Sequence, residues 1–313
     1  MDTTGTKRLH QVALHGLVAY LPTPVRYDEV DLAAFGRLVE RAVAAGADAL
    51  GVLGSTGAAM YLDRDERHAV VRRAVDLAAG VPVVAGVSAL RTAAAQEHAD
   101  DAQSAGASAL LLAPVGYVPL VGTEAVGLFE DVLAGIDVPL VVYDNPATTR
   151  VDMSTGLLVR LAALPGVGSV KTPGPGPRAA LARARVAELR AALPLDVSLG
   201  FSGDDAGAAA LRAGADAWHS TLAGTLPELF VPLARAASLG APGADPVPDD
   251  AGDTSHLAAL WDLVRRHTGV RVASTTAELL GLVGGPSLPR PLLPLAAADR
   301  DALRRVLAEL GVL

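Results

Sequence analysis

Lysine occurs at only two positions of this 313-residue chain, 7 and 171, and the other 24 of its 26 basic residues are arginine. Arginine keeps its proton inside a protein, whereas lysine can lose it and become a nucleophile. A sequence that takes arginine wherever a plain positive charge will do marks Lys171 as a position that calls for an amine. Lys171 closes the apolar run Val167-Gly168-Ser169-Val170. Burial there disfavours the ammonium form, and the free amine can attack a carbonyl carbon to give a Schiff base. The alternative is a surface lysine at a strand end.

Tyr143 closes the preceding apolar run, 139–143. A phenol on the strand next to Lys171 could pass protons to and from a substrate during imine formation and carbon–carbon cleavage, although strand-end tyrosines also serve as packing. Gly54-Ser55-Thr56-Gly57 forms a short turn whose backbone N–H groups and two hydroxyls suit a carboxylate. It lacks the Gly-Lys-Ser/Thr ending of a P-loop, and an ordinary strand-to-helix turn is the other reading. In Ser202-Gly203-Asp204-Asp205, the expectation is that one aspartate caps the following helix. The seven histidines show no close pair and neither HxH nor HExxH spacing, so neither a metal nor a cofactor is expected.

These residues need a scaffold that brings distant segments together. Ala45-Gly46-Ala47-Asp48-Ala49-Leu50, Ala105-Gly106-Ala107-Ser108-Ala109-Leu110 and Ala213-Gly214-Ala215-Asp216-Ala217-Trp218 resemble one another, each reading as a helix end, a glycine stop and a buried strand. Eight apolar runs without polar alternation begin near 16, 48, 82, 108, 138, 167, 196 and 216, as strands buried on both faces do. Between them lie helical signals. Phe35, Leu38, Val39, Ala42 and Val43 fall at helical spacing, and Asp63/Glu66 and Thr225/Glu228 have the form of capping boxes. Eight strands alternating with helices predict a parallel α/β fold, a (β/α)₈ TIM barrel over residues 1–239. Residues 240–253, rich in proline, glycine and aspartate, read as a linker. Beyond it, 254–313 form a C-terminal helical extension packed on the barrel, with helices at 256–267, 273–282 and 296–310.

Composition narrows the function. With 51% hydrophobic and 19% charged residues the chain has ample core, and its longest apolar runs fall well short of the ~18 residues a membrane span needs. The opening residues show no secretory signal, so a cytoplasmic location is expected. The absence of cysteine removes disulfides, thiolate metal sites and cysteine nucleophiles. A net charge of −8 argues against nucleic acid or anionic membrane as partners and favours a small molecule.

Taken together, the motifs resemble the dihydrodipicolinate synthase and N-acetylneuraminate lyase family of class I, Schiff-base-forming lyases. The resemblance runs from Gly16-Leu-Val-Ala-Tyr-Leu-Pro-Thr-Pro24 through Gly54-Ser-Thr-Gly57, Tyr143-Asp-Asn-Pro146 and Lys171 to Ser202-Gly-Asp-Asp205. It implies that Lys171 is the imine-forming lysine and Tyr143 the proton-relaying tyrosine. Ser55 and Thr56 would be the hydroxyl and carboxylate-binding pair, flanked by Gly54 and Gly57, with Ser202 and Gly203 beside the substrate. It further implies a homo-oligomer, a tetramer built from dimers, acting on pyruvate or another 2-oxo acid. The chain departs from the family pattern at three places. Ala58 stands where a glutamate is usual. Gly116 stands at the second tyrosine of Pro-Tyr-Tyr-Asn, with Tyr117 next to it. Thr148 replaces the arginine that grips a second carboxylate in the synthases, with Thr149 and Arg150 close by. The hydroxyls of Thr148 and Thr149 favour a hydroxylated 2-oxo acid, whereas Ala58 and Gly116 motivate a catalytically silent member. The alternatives are a true synthase acting on pyruvate plus aspartate semialdehyde through a displaced Arg150, and a catalytically silent binder of 2-oxo acids.

Overall fold

A computed structural model describes residues 14–239 and 254–313. Lys7 and the expected 240–253 linker lie outside the described residues. Eight parallel strands close on themselves: β1 (Gly16–Tyr20), β2 (Ala49–Val52), β3 (Val83–Gly86), β4 (Ala109–Leu112), β5 (Leu140–Tyr143), β6 (Val167–Pro173), β7 (Ser198–Ser202) and β8 (Ala217–Ser220). Each coincides with one of the eight apolar runs. The barrel shuts where β1 meets β8, with Gly16 opposite Ala217 and Ala19 opposite Ser220.

Helices α1 (Leu32–Ala45), α2 (Arg64–Leu77), α3 (Thr92–Ser104), α4 (Gly122–Leu133), α5 (Thr155–Ala162), α6 (Ala179–Ala192), α7 (Gly207–Arg212) and α8 (Pro227–Leu239) surround the barrel. The sequence repeats mark where helices stop: Gly46, Gly106 and Gly214 take φ values of 87°, 94° and 96°, the left-handed region glycine enters without a Cβ clash. Asp63 and Glu66 form the expected capping box at α2. Thr225 and Glu228 do not. Glu228 instead receives both Nε and Nη2 of Arg41, at 2.6 and 2.8 Å, while Arg41 Nη1 donates to the Thr225 carbonyl. A two-point arginine contact across the α1–α8 seam outcompetes a local cap.

Two apolar layers follow from the alternation of strand side chains. Val18, Tyr20, Ala49, Val84, Ala109, Leu111, Val141, Tyr143 and Ala217 fill the barrel interior. Leu17, Ala19, Leu50, Val52, Leu110, Val142, Val170, Leu199 and Trp218 face outward under the helices. The C-terminal segment adds α9 (Ala258–His267), α10 (Gly269–Leu279) and α11 (Ala297–Glu309). They share the outer layer rather than building a core of their own. Trp218, Phe230 and Trp261 meet edge to face at centroid distances of 5.5 and 6.0 Å, joining β8, α8 and α9. Each such pair contributes ~1 kcal/mol beyond its burial. The start of α10 reaches the carboxyl end of the barrel, where Gly269 lies against Thr221 in the turn after β8.

Candidate active site

β5 and β6 supply the central pair. Their ladder places Leu140 opposite Val167, then skips Gly168, so that Val141 faces Ser169 and Tyr143 faces Lys171. The skip changes the alternation. Val167 packs outward, and without the extra residue Lys171, four positions on, would point the same way. With it, Lys171 enters the barrel mouth and is only 4% exposed. Its Nζ lies 3.6 Å from the centroid of the Tyr20 ring and 4.0 Å from that of Tyr143. Burial lowers the amine to about 7, against an opposing pull from the Asp204 carboxylate. Lys171 is therefore an amine that is substantially unprotonated near neutral pH, held between two phenol faces.

The Tyr143 hydroxyl is 3.1 Å from Ser55 Oγ and accepts from Asn145 Nδ2 at 2.6 Å. Burial pushes its ionisation up, and the two hydrogen bonds oppose that shift. Asn145 Nδ2 also donates to Thr148 Oγ1 at 3.0 Å. Ser55, Tyr143, Asn145 and Thr148 thus form one polar chain leading from the buried phenol to an exposed threonine. Behind this chain, Thr172 donates to the Asp144 carboxylate at 2.8 Å, and the Asp144 N–H donates to the Lys171 carbonyl. These bonds fix the strand ends that carry the lysine and the tyrosine.

The other expected residues spread more widely. Thr56 Oγ1 lies 3.0 Å from Thr221 Oγ1, so its side chain joins the turn after β2 to the turn after β8. Gly54 lies against the Tyr20 ring, and Gly57 folds onto the Leu53 backbone. Thr149 is buried with its hydroxyl donated to the Asn145 carbonyl, and Arg150 ends the short Pro146–Thr149 helix with an exposed side chain. Ser202 Oγ donates to the Thr172 carbonyl at 3.4 Å, and Gly203 takes a left-handed φ of 96° beside it. Tyr117 is 94% exposed, away from Lys171 on this chain.

The Ser202–Asp205 segment corrects the helix-cap expectation. Asp204 turns away from the helix that follows and receives the backbone N–H of Leu222 at 3.0 Å, together with those of Thr221 and the Ser220 hydroxyl. No side chain caps α7. Burial raises the Asp204 carboxyl to about 6, against those donors. Asp205 pairs with Arg265 of α9 at 3.3 Å. The segment clamps the turn after β8 and the C-terminal helices, which requires contacts a local sequence pattern does not reveal.

Two site residues escaped the sequence reading, Tyr20 and His219. Both are buried in the barrel, with Tyr20 Oη 3.3 Å from His219 Nδ1. The signal that could have found them is the small residues facing them. A Cβ at Gly51 would lie 2.5 Å from the Tyr20 ring, and one at Gly200 would collide with His219 Nε2. Large polar-tipped residues opposite glycines on neighbouring strands mark a barrel filled from a few positions.

Among the described residues, no three His, Asp or Glu side chains cluster as a metal site would require, and no helix is long and apolar enough to cross a membrane. A parallel barrel with a buried amine at its carboxyl mouth is the framework of a Schiff-base-forming lyase. The chain belongs to the dihydrodipicolinate synthetase family, whose model matches residues 13–310. It is similar to the 4-hydroxy-tetrahydrodipicolinate synthase of Methylococcus capsulatus, 32% identical over 306 residues that cover 96% of this chain and 100% of the relative. Among solved structures, a dihydrodipicolinate synthase from Agrobacterium tumefaciens is 39% identical, with a TM-score of 0.87 over 95% of this chain and 98% of that one. That of Aquifex aeolicus is 26% identical, with a TM-score of 0.85 over 96% and 99%.

Proposed function

We propose that this protein is an aldolase or dehydratase that forms an imine between Lys171 and a 2-oxo acid, with Tyr143 moving the protons. The observation that carries the reading is the Lys171 amine, lowered by burial to about 7 at the end of a barrel strand. Such an amine attacks the oxo carbon without first needing a strong base. Tyr143, bonded to Ser55 and Asn145, exchanges protons with the nitrogen and with the carbon chain as bonds break. The turn 54–57 offers backbone N–H groups to the carboxylate of the 2-oxo acid.

The preferred substrate is a hydroxylated 2-oxo acid. A second carboxylate is held best by a fixed cation at the mouth of the site, and Thr148, tied through Asn145 to Tyr143, supplies a hydroxyl there instead. A site built to hydrogen-bond hydroxyls discriminates against substrates that lack them. The second reading is a synthase acting on pyruvate and aspartate semialdehyde, favoured by the name of the relative from Methylococcus capsulatus and by Arg150 two positions from Thr148. The same proposal includes an assembly of identical chains in which the exposed Tyr117 serves a neighbouring site, read out by analytical ultracentrifugation.

Borohydride reduction with a panel of 2-oxo acids tests the function. Reduced adducts are expected on the Lys171 peptide, larger in yield with hydroxylated acids than with pyruvate, and lost in Lys171→Arg. Labelling at Lys7, or no adduct with any acid, leaves a silent binding protein as the better description.

A further inference from the structure

His219 has no part in the reaction as described so far, yet it is one of the most completely enclosed polar side chains in the barrel, at 2% exposure. Its strand, β8, runs beside β7, and β7 runs beside β6. Gly200 of β7 pairs with Lys171 on one side and with Ala217 of β8 on the other. Because Gly200 carries no side chain, the imidazole lies over it, with Nε2 in the space that a Cβ would need. The His219 ring thus fills the space above Gly200, the residue that separates its strand from the strand of Lys171. Nε2 has no hydrogen-bond partner, whereas Nδ1 lies 3.3 Å from Tyr20 Oη.

The tautomer follows from counting partners. If Nδ1 carried the proton, the Tyr20 hydroxyl hydrogen and the Nε2 lone pair would both be left over. If the Tyr20 hydroxyl donates to Nδ1, only the Nε2–H is left, as one buried donor without a partner. Burial, and beyond it the charge of the Lys171 ammonium, hold His219 well below the usual imidazole range, so burial alone keeps the ring neutral when the amine is free.

We propose that His219 is a second acid–base residue of the amine site, whose Nε2–H gives its proton to the oxygen leaving C2 as Lys171 forms its imine, with Tyr20 as the positioning residue that replaces that proton. The inference rests on the lysine-imine reading above. Addition of the amine to the oxo carbon gives an ammonium and an alkoxide, and transfer of one proton from nitrogen to oxygen by way of Tyr143 leaves a neutral carbinolamine with a hydroxyl on C2. The C2–O bond breaks as the nitrogen lone pair forms the C=N bond. The departing oxygen takes the Nε2 proton and leaves as water, while Nδ1 takes the phenolic proton of Tyr20. One iminium cation and one phenolate result. Burial and the neighbouring Tyr143 push the Tyr20 ionisation well above its ordinary range, so the phenolate depends on the new cation, whose nitrogen already lies 3.6 Å from the ring centroid. Hydrolysis of the product imine runs the same transfers in reverse.

The test is the rate at which the full-length protein forms its imine with pyruvate, read by quenching with borohydride at increasing times and weighing the protein. His219→Gln and Tyr20→Phe are each expected to slow adduct formation roughly 10²-fold, the usual worth of a positioned acid, while the final adduct still sits on Lys171. The double variant should be no slower than either single one, because the two groups act as one relay. Tyr20→Phe keeps the ring and its packing, so its effect reports the hydroxyl alone. Parental rates in both single variants overturn the proposal, as does a slowing seen with His219→Leu alone, which would make the imidazole a space filler. Absence of any adduct in the parent protein overturns the lyase reading and this proposal with it.

Discussion

The Lys171 nitrogen and the Tyr20 ring, 3.6 Å apart, come from strands that no short stretch of sequence connects: β6 and β1, brought together by closure of the barrel. The aromatic face favours the charged ammonium and the burial it creates disfavours it, so the same ring pulls the amine in both directions. With the amine at about 7, burial has the larger effect.

Imine formation should therefore rise with pH through neutrality. Only the unprotonated amine attacks, so the initial rate of borohydride-trapped adduct with a 2-oxo acid should climb about tenfold for each pH step of one below pH 7 and level off above it. A rate still climbing at pH 9 would show an ordinary exposed lysine.

Stability should carry the same signature. The folded amine titrates at about 7 and the unfolded one near 10.5, so between these values the unfolded chain holds more protons and this group's contribution to stability rises with pH. Below pH 7 its cost is constant and largest. Lys171→Met should thus gain most at pH 6, by up to a few kcal/mol, because each tenfold change in proton affinity between the two states is worth roughly 1.4 kcal/mol. The gain should be least near pH 10. Denaturant unfolding of both proteins across that range measures it, and a gain that grows with pH contradicts it.

Tyr143→Phe should fold normally and turn over roughly 10² to 10⁴ times more slowly, because the ring stays and the proton path through Ser55 and Asn145 is cut. Turnover within about twofold of the parent would make Tyr143 a packing residue.

Substrate choice should hinge on Thr148. Thr148→Arg should raise condensation of pyruvate with aspartate semialdehyde relative to cleavage of a hydroxylated 2-oxo acid, by restoring a cation beside Asn145. If the parent already condenses the two efficiently and Arg150→Ala abolishes it, Arg150 holds the carboxylate and the protein is a synthase.

Gly51→Ala should cost about 1–3 kcal/mol, since the new Cβ would enter the Tyr20 ring 2.5 Å away in a filled barrel. A parental unfolding midpoint, together with an unchanged rate of lysine trapping, would show that the ring moves freely.

All eight strands were legible in the sequence because each is a short apolar run ended by a turn, and Lys171 stood out through the rarity of lysine. Tyr143 was legible as its neighbour, and the register bears that adjacency out. Tyr20 and His219 were not, because their inward direction depends on barrel closure and on glycines of the neighbouring strands. The Gly168 skip was equally hidden: an apolar run does not reveal where a ladder drops a residue, yet that step decides which way the lysine points. Asp204 and Glu228 were misread for a related reason, since a capping pattern is local and the partners that won, the turn after β8 and Arg41, are not.

The seam between β1 and β8 also has a meaning in time. Tyr20 lies on one side of it and His219 on the other, about two hundred residues apart in the order of synthesis. Contacts of such long range carry a loop-closure cost that must be met before they reward the fold. The Tyr20 ring is held against the lysine only once the eighth strand has docked on the first, and the burial that lowers the amine depends on that closure. The lowered amine is thus a property of the closed barrel and of no single stretch of the chain.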